Sequence, residues 1–225
     1  MGERVVAVTG GHGVLGRAVV QAALDAGLKV AVIDHAAGQP VPDGVLEIGG
    51  VDLTDPGQAQ GAIDKAVAHF GRLDALLNIA GGFVWQTVDD ASPAWDRMFA
   101  LNLTTALNAS RAALTPLKAS SDGRIVNVGA NAALKAAAGM GPYAASKAAV
   151  HALTQALAEE LKSTSVTVNA VLPSILDTAQ NRADMPDADP AKWVAPADLA
   201  AVILFLASPA GRAVTGALVP VTGRV

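Results

Sequence analysis

In the stretch GANAALKAAAGMGPYAASK a tyrosine and a lysine, Tyr143 and Lys147, stand four residues apart. On a helix that spacing puts both side chains on one face, about one turn from each other. An ammonium beside a phenol favours the phenolate, so the pair predicts a Tyr143 pKa below the usual value of about 10 and a phenol able to deliver a proton as hydride arrives. An enzyme working on a ketone with such a pair would also want a hydroxyl to hold the carbonyl oxygen. Upstream, the chain offers Gly129 and Ala130 instead. Removing one donor from such a site typically lowers the rate by about 10²–10³, or roughly 3–4 kcal/mol, when charge develops on that oxygen. The pattern therefore suits a conjugated imine or quinonoid ring, which takes up one hydride and one proton without leaving a bare alkoxide.

The second chemistry-bearing stretch is TGGHGVLG, Thr9 to Gly16. Glycines at 10, 13 and 16, with Val14 and Leu15 between them, make a tight turn through which the backbone can approach a pyrophosphate at a helix N-terminus. Asp34 closes the next strand-like run in VAVIDH, at the distance where a carboxylate accepts from ribose hydroxyls. The same carboxylate repels a 2′-phosphate, and neither the turn nor the residues just after Asp34 carry Lys or Arg. NADH or NAD is thus the preferred cofactor, with NADPH tolerated. His12 and His35 are expected to be exposed loop residues. The four histidines lack metal-ligand spacing, so no metal site is expected.

These residues need elements to carry them. Seven short β-branched runs, RVVAVTG, KVAVIDH, GVLEIGGVD, DALLNIAG, GRIVNVGA, VTVNAVLP and ALVPVTG, alternate with alanine-rich segments of helical length. That alternation predicts βαβ units and a doubly wound, seven-stranded parallel sheet with helices on both faces. Ser92 before Pro93 reads as the cap of a long helix reaching roughly Leu117, and Pro196 as the opening of the last helix. The 225 residues contain no linker-like stretch, so 1–225 is taken as one domain. The polar segment 178–193, TAQNRADMPDADPAKW, has neither periodicity and is a candidate lid over the site.

Composition narrows the class further. A 52% hydrophobic content with 16% charged residues allows a large core, and a net charge of −4 with scattered Lys and Arg argues against nucleic-acid or membrane-surface binding. There is no cysteine, which excludes thiolate chemistry. No signal-peptide pattern is read at MGERVVAVTG, and the longest apolar run, LAAVILFLA, is too short to span a bilayer. A cytoplasmic enzyme with a small-molecule substrate is the simplest expectation.

With a nucleotide turn at the start and Tyr143-x-x-x-Lys147 in the second half, the chain resembles the short-chain dehydrogenase/reductase family along nearly its whole length. The resemblance implies a single-domain Rossmann fold. It further implies an adenine contact at Asp52 and Leu53 in VDLTD, a cofactor-lining strand end at Asn78, Ala80 and Gly81, and a catalytic role for Asn102 in FALNLTT. In PSILDT, Pro173, Leu176 and Thr178 would face the nicotinamide carboxamide, and Lys147 would bond the nicotinamide ribose. A homodimer or homotetramer, formed through the long helices near Ser92 and Tyr143, is implied as well. Three departures stand out: Val14 occupies a position usually glycine, Ser174 follows Pro173 in place of glycine, and Ala130 falls where the family's serine is expected. The dihydropteridine reductase branch is similar in GGHGVLG, in VIDH, in GANAALKAAAGMGPYAASKAAVH and in LPSILDTAQNRADMPDADPAKW.

On the substrate side the candidates are Trp85, Ala130, Met185 and Trp193. Phe83 joins Trp85 as a possible stacking surface for a flat heterocycle, although ordinary packing serves both equally well. Trp193 has the alternative of anchoring the next helix, and Trp95 is assigned to packing. Asp177, Asn181 and Arg182 either orient polar substrate groups or, for Arg182, pair with an acid at the surface. Two other functions stay open. One is reduction of a different carbonyl compound (3-oxoacyl thioester, quinone or ketone), with Asn131 or Ser146 replacing the lost serine. The other is a dinucleotide-binding regulator without turnover.

Overall fold

The computed structural model describes residues 3–91 and 93–225. Its strands are β1 (Val5–Thr9), β2 (Lys29–Ile33), β3 (Leu46–Ile48), β4 (Ala75–Asn78), β5 (Arg124–Val128), β6 (Thr167–Pro173) and β7 (Leu218–Val221). The helices are α1 (Val14–Asp25), α2 (Pro56–Phe70), α3 (Ala94–Met98), α4 (Thr105–Ala119), α5 (Gly141–Glu160), α6 (Ala179–Asp184) and α7 (Pro196–Ala207). All seven strands run parallel in the order β3-β2-β1-β4-β5-β6-β7.

Strand side chains alternate between the two faces, and that period builds two cores. Val5 and Ala7 of β1, Ile33 of β2 and Leu76 of β4 pack with Ile63 of α2, Ala109 and Leu117 of α4, and Leu157 of α5. Val6, Val8, Val30, Val32 and Leu77 point the other way, against Val19 of α1 and Leu199 and Ile203 of α7. Because both faces are covered, the strands read as continuous apolar runs rather than as a polar and apolar alternation. The sheet winds outward in both directions from the β1/β4 pair, so the carboxyl ends of those two strands part there and leave a crevice.

Helix starts follow local chemistry. Asp55 caps α2 by accepting from the N–H groups of Gly57 and Gln58, with Pro56 at the first helical position and Gly71 (φ 78°) ending it. Pro196 opens α7 in the same way. The long helix expected from Ser92 is present but not uniform. Pro93 immediately precedes it, a π-helical stretch at Phe99–Thr104 interrupts it, and α4 ends at Ala119. Ser92 itself lies outside the described residues. The polar segment 178–193 holds α6 and a 3₁₀ turn at Pro190–Lys192. Among the described residues no helix is long and apolar enough to cross a membrane.

Candidate active site

The crevice at the switch point is a cavity of about 1400 Å³. Its first wall is the turn after β1. Gly10 has φ 67°, and a Cβ there would lie 2.8 Å from the Ala80 backbone; at Gly16 one would run into the Gly10 carbonyl oxygen. The turn therefore presses against the end of β4, where the Thr9 hydroxyl accepts from the N–H groups of Ile79 and Ala80, 3.1 Å each. Gly13 is the N-cap of α1 and offers no side-chain cap, so the first N–H groups of this helix are left for an anion.

The next stretch of wall follows β2 and β3. Asp34 lines the cavity, and its carboxylate accepts from the backbone N–H of His12 and of Ala36, 3.0 Å each. His12 is not the exposed loop residue expected from the sequence. Its side chain is 8% accessible and its Nε2 lies 3.3 Å from Glu47 Oε1, because the turn folds back over β3. His35 is exposed as expected, and it lines the cavity. Asp52 and Leu53 also line it. The Thr54 hydroxyl and then its N–H, both donating to Asp52, hold that carboxyl below the ordinary carboxylate range. Asn108 of α4 steadies the loop from behind, donating to the carbonyls of Leu53 and Thr54. An uncapped helix end, glycines that leave room for a backbone approach, and a carboxylate on the same wall after β2 fit a dinucleotide.

At the other end α5 presents Tyr143 and Lys147 to the cavity on one face, with Ala130 across from them at the end of β5. Lys147 Nζ donates to the Val128 carbonyl at 2.7 Å. Phe83 packs edge-on against the Tyr143 ring, centroids 5.0 Å apart. The electrostatics reverse one expectation. Burial pushes the Tyr143 phenol up to about 12 and brings the Lys147 ammonium down to about 8. The ammonium is committed to a backbone carbonyl, and desolvation penalises both charged forms more than the pair relieves them.

Ala130 is 2% exposed, and its N–H donates to Nε2 of buried His151 at 3.3 Å. Sequence reasoning missed His151. The signal was present, since it continues the four-residue spacing of Tyr143 and Lys147 on α5. Of the two residues considered as substitutes for the lost serine, Asn131 lines the cavity. Ser146 does not: it is fully buried, donating to the Tyr143 carbonyl and accepting from Asn102 Nδ2.

Several expected site residues stand behind the wall rather than on it. Asn102, in the π-helical stretch, is buried and clamps Gly82 through both its N–H (2.9 Å) and its carbonyl (3.1 Å). Asn78 is buried and donates to Ser110 and Asn127. Thr178 caps α6 by accepting from the Asn181 N–H. Trp193 is 7% exposed and absent from the cavity wall, a placement that does not put it over substrate. Arg182 forms a bidentate pair with Asp177 at 2.6 and 2.8 Å, the surface contact of the two readings.

On the wall itself are Val14, Leu15, Ala80, Gly81, Pro173 and Leu176, together with Asn181 and Met185 from the expected lid. Trp85, 61% exposed, is set by a hydrogen bond from Nε1 to the Ala138 carbonyl (3.1 Å) and lies over Gly139, where the absence of a Cβ leaves room for the ring. Phe83, also exposed, lines the same end.

Comparison with known proteins gives the same lineage. Residues 4–189 match the family model described as short chain dehydrogenase. The chain is 34% identical to 2-(S)-hydroxypropyl-CoM dehydrogenase 3 of Xanthobacter autotrophicus, over 98% of its own length and 96% of that protein's. It is 33% identical to cyclohexanol dehydrogenase of a Rhodococcus species, over 98% and 95%. Among solved structures it superposes on a doubly substituted Serratia marcescens short-chain dehydrogenase/reductase with a TM-score of 0.86 and 31% identity, covering 98% of this chain and 96% of that one.

Proposed function

The chain belongs to the short-chain dehydrogenase family and is an NAD(P)-dependent oxidoreductase; from that premise we propose that it reduces a flat conjugated imine or quinonoid ring with NADH, a quinonoid dihydropteridine being the substrate of choice. The observation that carries this reading is Ala130. The position offers the cavity a methyl group, and its N–H is turned away to His151. A ketone would leave an alkoxide there short of one donor, at a rate loss of about 10²–10³. A quinonoid ring regains a more stable conjugation on reduction and makes no such demand.

Bound at the glycine turn, the nicotinamide dinucleotide supplies the hydride. The chain's own residues do the rest. Tyr143, an ordinary phenol whose pKa burial raises further, is protonated at neutral pH and offers its O–H as the proton donor. Lys147, held by the Val128 carbonyl, keeps a cation beside that phenol as its proton leaves. Phe83 and Trp85 supply aromatic surface for a planar substrate. Asp34 favours NADH over NADPH, since Lys147 is the one lysine or arginine on the cavity wall among the described residues. The lid role of 178–193 and assembly through α4 and α5 as a homodimer or homotetramer belong to the same proposal.

The test is steady-state NADH oxidation with quinonoid dihydropterin. Turnover should be readily measured and should fall by about 10²–10⁴ in Tyr143→Phe. No turnover with either NADH or NADPH sinks the pteridine reading. A second reading, interconversion of an ordinary alcohol and ketone as the relatives' names describe, is favoured by Asn131, whose position on the cavity wall adjoins Ala130. On that reading cyclohexanone turns over, and Asn131→Ala abolishes it.

A further inference from the structure

The end of β5 is tied to α5 at two points. The Val128 carbonyl accepts from Lys147 Nζ (2.7 Å), and two residues on, the Ala130 N–H donates to His151 Nε2 (3.3 Å). Lys147 and His151 are one helical turn apart on the same face. Between the two ties lies Gly129, where a Cβ would sit 2.5 Å from His151 Nε2 and 3.3 Å from a Leu172 methyl. The imidazole thus fills the space any larger residue would take, and the backbone on either side of Gly129 is set by α5.

We propose that His151 is a positioning residue: as a neutral imidazole it anchors the Ala130 amide and thereby sets Val128 and Lys147 against the cavity, and its protonation releases that anchor. A ring nitrogen that accepts from an N–H carries no proton, so the ring's hydrogen sits on Nδ1. Protonated, the ring would turn a donor toward a donor and place a second cation one turn from Lys147. Burial, and then the Lys147 charge, hold its pKa below the ordinary imidazole range, which keeps the accepting form dominant at neutral pH. The charged and titratable groups around it are few. On α5, Lys147 acts on it, Tyr143 lies two turns away, and Glu159 and Glu160 occupy the far end. The π-helical stretch, the 3₁₀ turn at Asn131–Ala133 and β6 bring none. β5 has only Arg124, at its opposite end, and α3 only Asp96 and Arg97, both exposed.

The test combines one measurement that needs no substrate with one that does. In the full chain, amide exchange at Ala130 should be slow in the wild type and in His151→Gln, whose side-chain oxygen accepts without titrating, and at least about tenfold faster in His151→Leu. With lowering pH, the Ala130 amide resonance of the wild type should shift together with the His151 ring, at a midpoint below the usual value of about 6.5. With quinonoid dihydropterin, or with cyclohexanone if only that turns over, His151→Leu should lose about tenfold or more in kcat while NADH affinity, read by fluorescence, changes by less than about twofold. His151→Gln should restore most of that kcat and, relative to wild type, gain activity as pH falls. Equal Ala130 exchange in all three proteins overturns the proposal, as does a kcat ratio of His151→Gln to wild type that is flat with pH. Should His151→Leu fail to fold, the wild-type titration and His151→Gln still decide. Failure of pterin turnover alone bears on the substrate, not on His151.

Discussion

Lys147 carries a stability penalty that its neighbours do not relieve. It is buried, its ammonium donates to a neutral carbonyl, and its pKa falls on folding from 10.5 to about 8. Between those values the unfolded chain binds more protons than the folded one, so stability rises with pH across that window, and the penalty is complete below about 8. Lys147→Met should be inactive. In urea unfolding, its stability relative to wild type should be greater at pH 7 than at pH 10 by about 2 to 3 kcal/mol. Whatever the Val128 contact gains from the charged form is already contained in the folded pKa, so it adds no separate pH dependence. Tyr143 shifts the opposite way: its folded pKa, raised to about 12, contributes stability that is full below 10 and lost through 12. That window lies above the one tested for Lys147.

At the scale of elements, the glycines of the β1–α1 turn do two different jobs. Gly16 is required by the fold, since its Cβ would meet the Gly10 carbonyl oxygen; Gly13 has only that same oxygen nearby, at an ordinary 3.4 Å. Gly16→Ala should therefore lower thermal stability. Gly13→Ala should leave it within about 0.5 kcal/mol while weakening NADH binding about tenfold, equivalent to roughly 1.4 kcal/mol. Parallel melting and fluorescence titrations separate the two. The π-helical stretch is a second element whose geometry has a purpose: the local widening at Phe99–Thr104 contains Asn102, whose amide joins Gly82 to Ser146 and so joins the end of β4 to α5. Neither the carboxyl end of β4 nor the Tyr143 backbone is left to set itself.

For the whole molecule, winding a parallel sheet outward from β1 and β4 gathers the loops that follow β1 to β6 around one crevice, and on the proposed reading the charge on its wall sorts ligands. Asp34 lines the end proposed for the ribose, and no arginine or second lysine lines the cavity among the described residues. Asp34→Ser should therefore raise kcat/KM with NADPH relative to NADH by about tenfold or more, as befits removal of a like charge worth at least roughly 1.4 kcal/mol. An unchanged ratio would assign the preference elsewhere. Because Asp34 also holds the His12 and Ala36 N–H groups, the variant should lose some NADH affinity as well.

Strand number, the parallel sheet, the glycine turn with its Asp34, and the Tyr143/Lys147 pair were all legible in the sequence. They are local in origin: apolar runs of strand length, a turn only glycine can make, and a four-residue helical spacing. What required the tertiary structure was every property that depends on which distant groups come together. Thr9 reaches Ile79 and Ala80, His12 turns inward onto Glu47, Trp193 is sealed away, and Asn102 and Asn78 brace the wall instead of forming it. The same reason explains the reversal at Tyr143, whose pKa follows burial rather than the charge four residues along. Desolvation and hydrogen-bond partners are set by packing between segments far apart in the chain, such as Thr9 with Ala80 and Arg4 with Ala207, which spacing along the chain does not encode; so the chain declared its chemistry locally, and the fold decided how that chemistry is tuned.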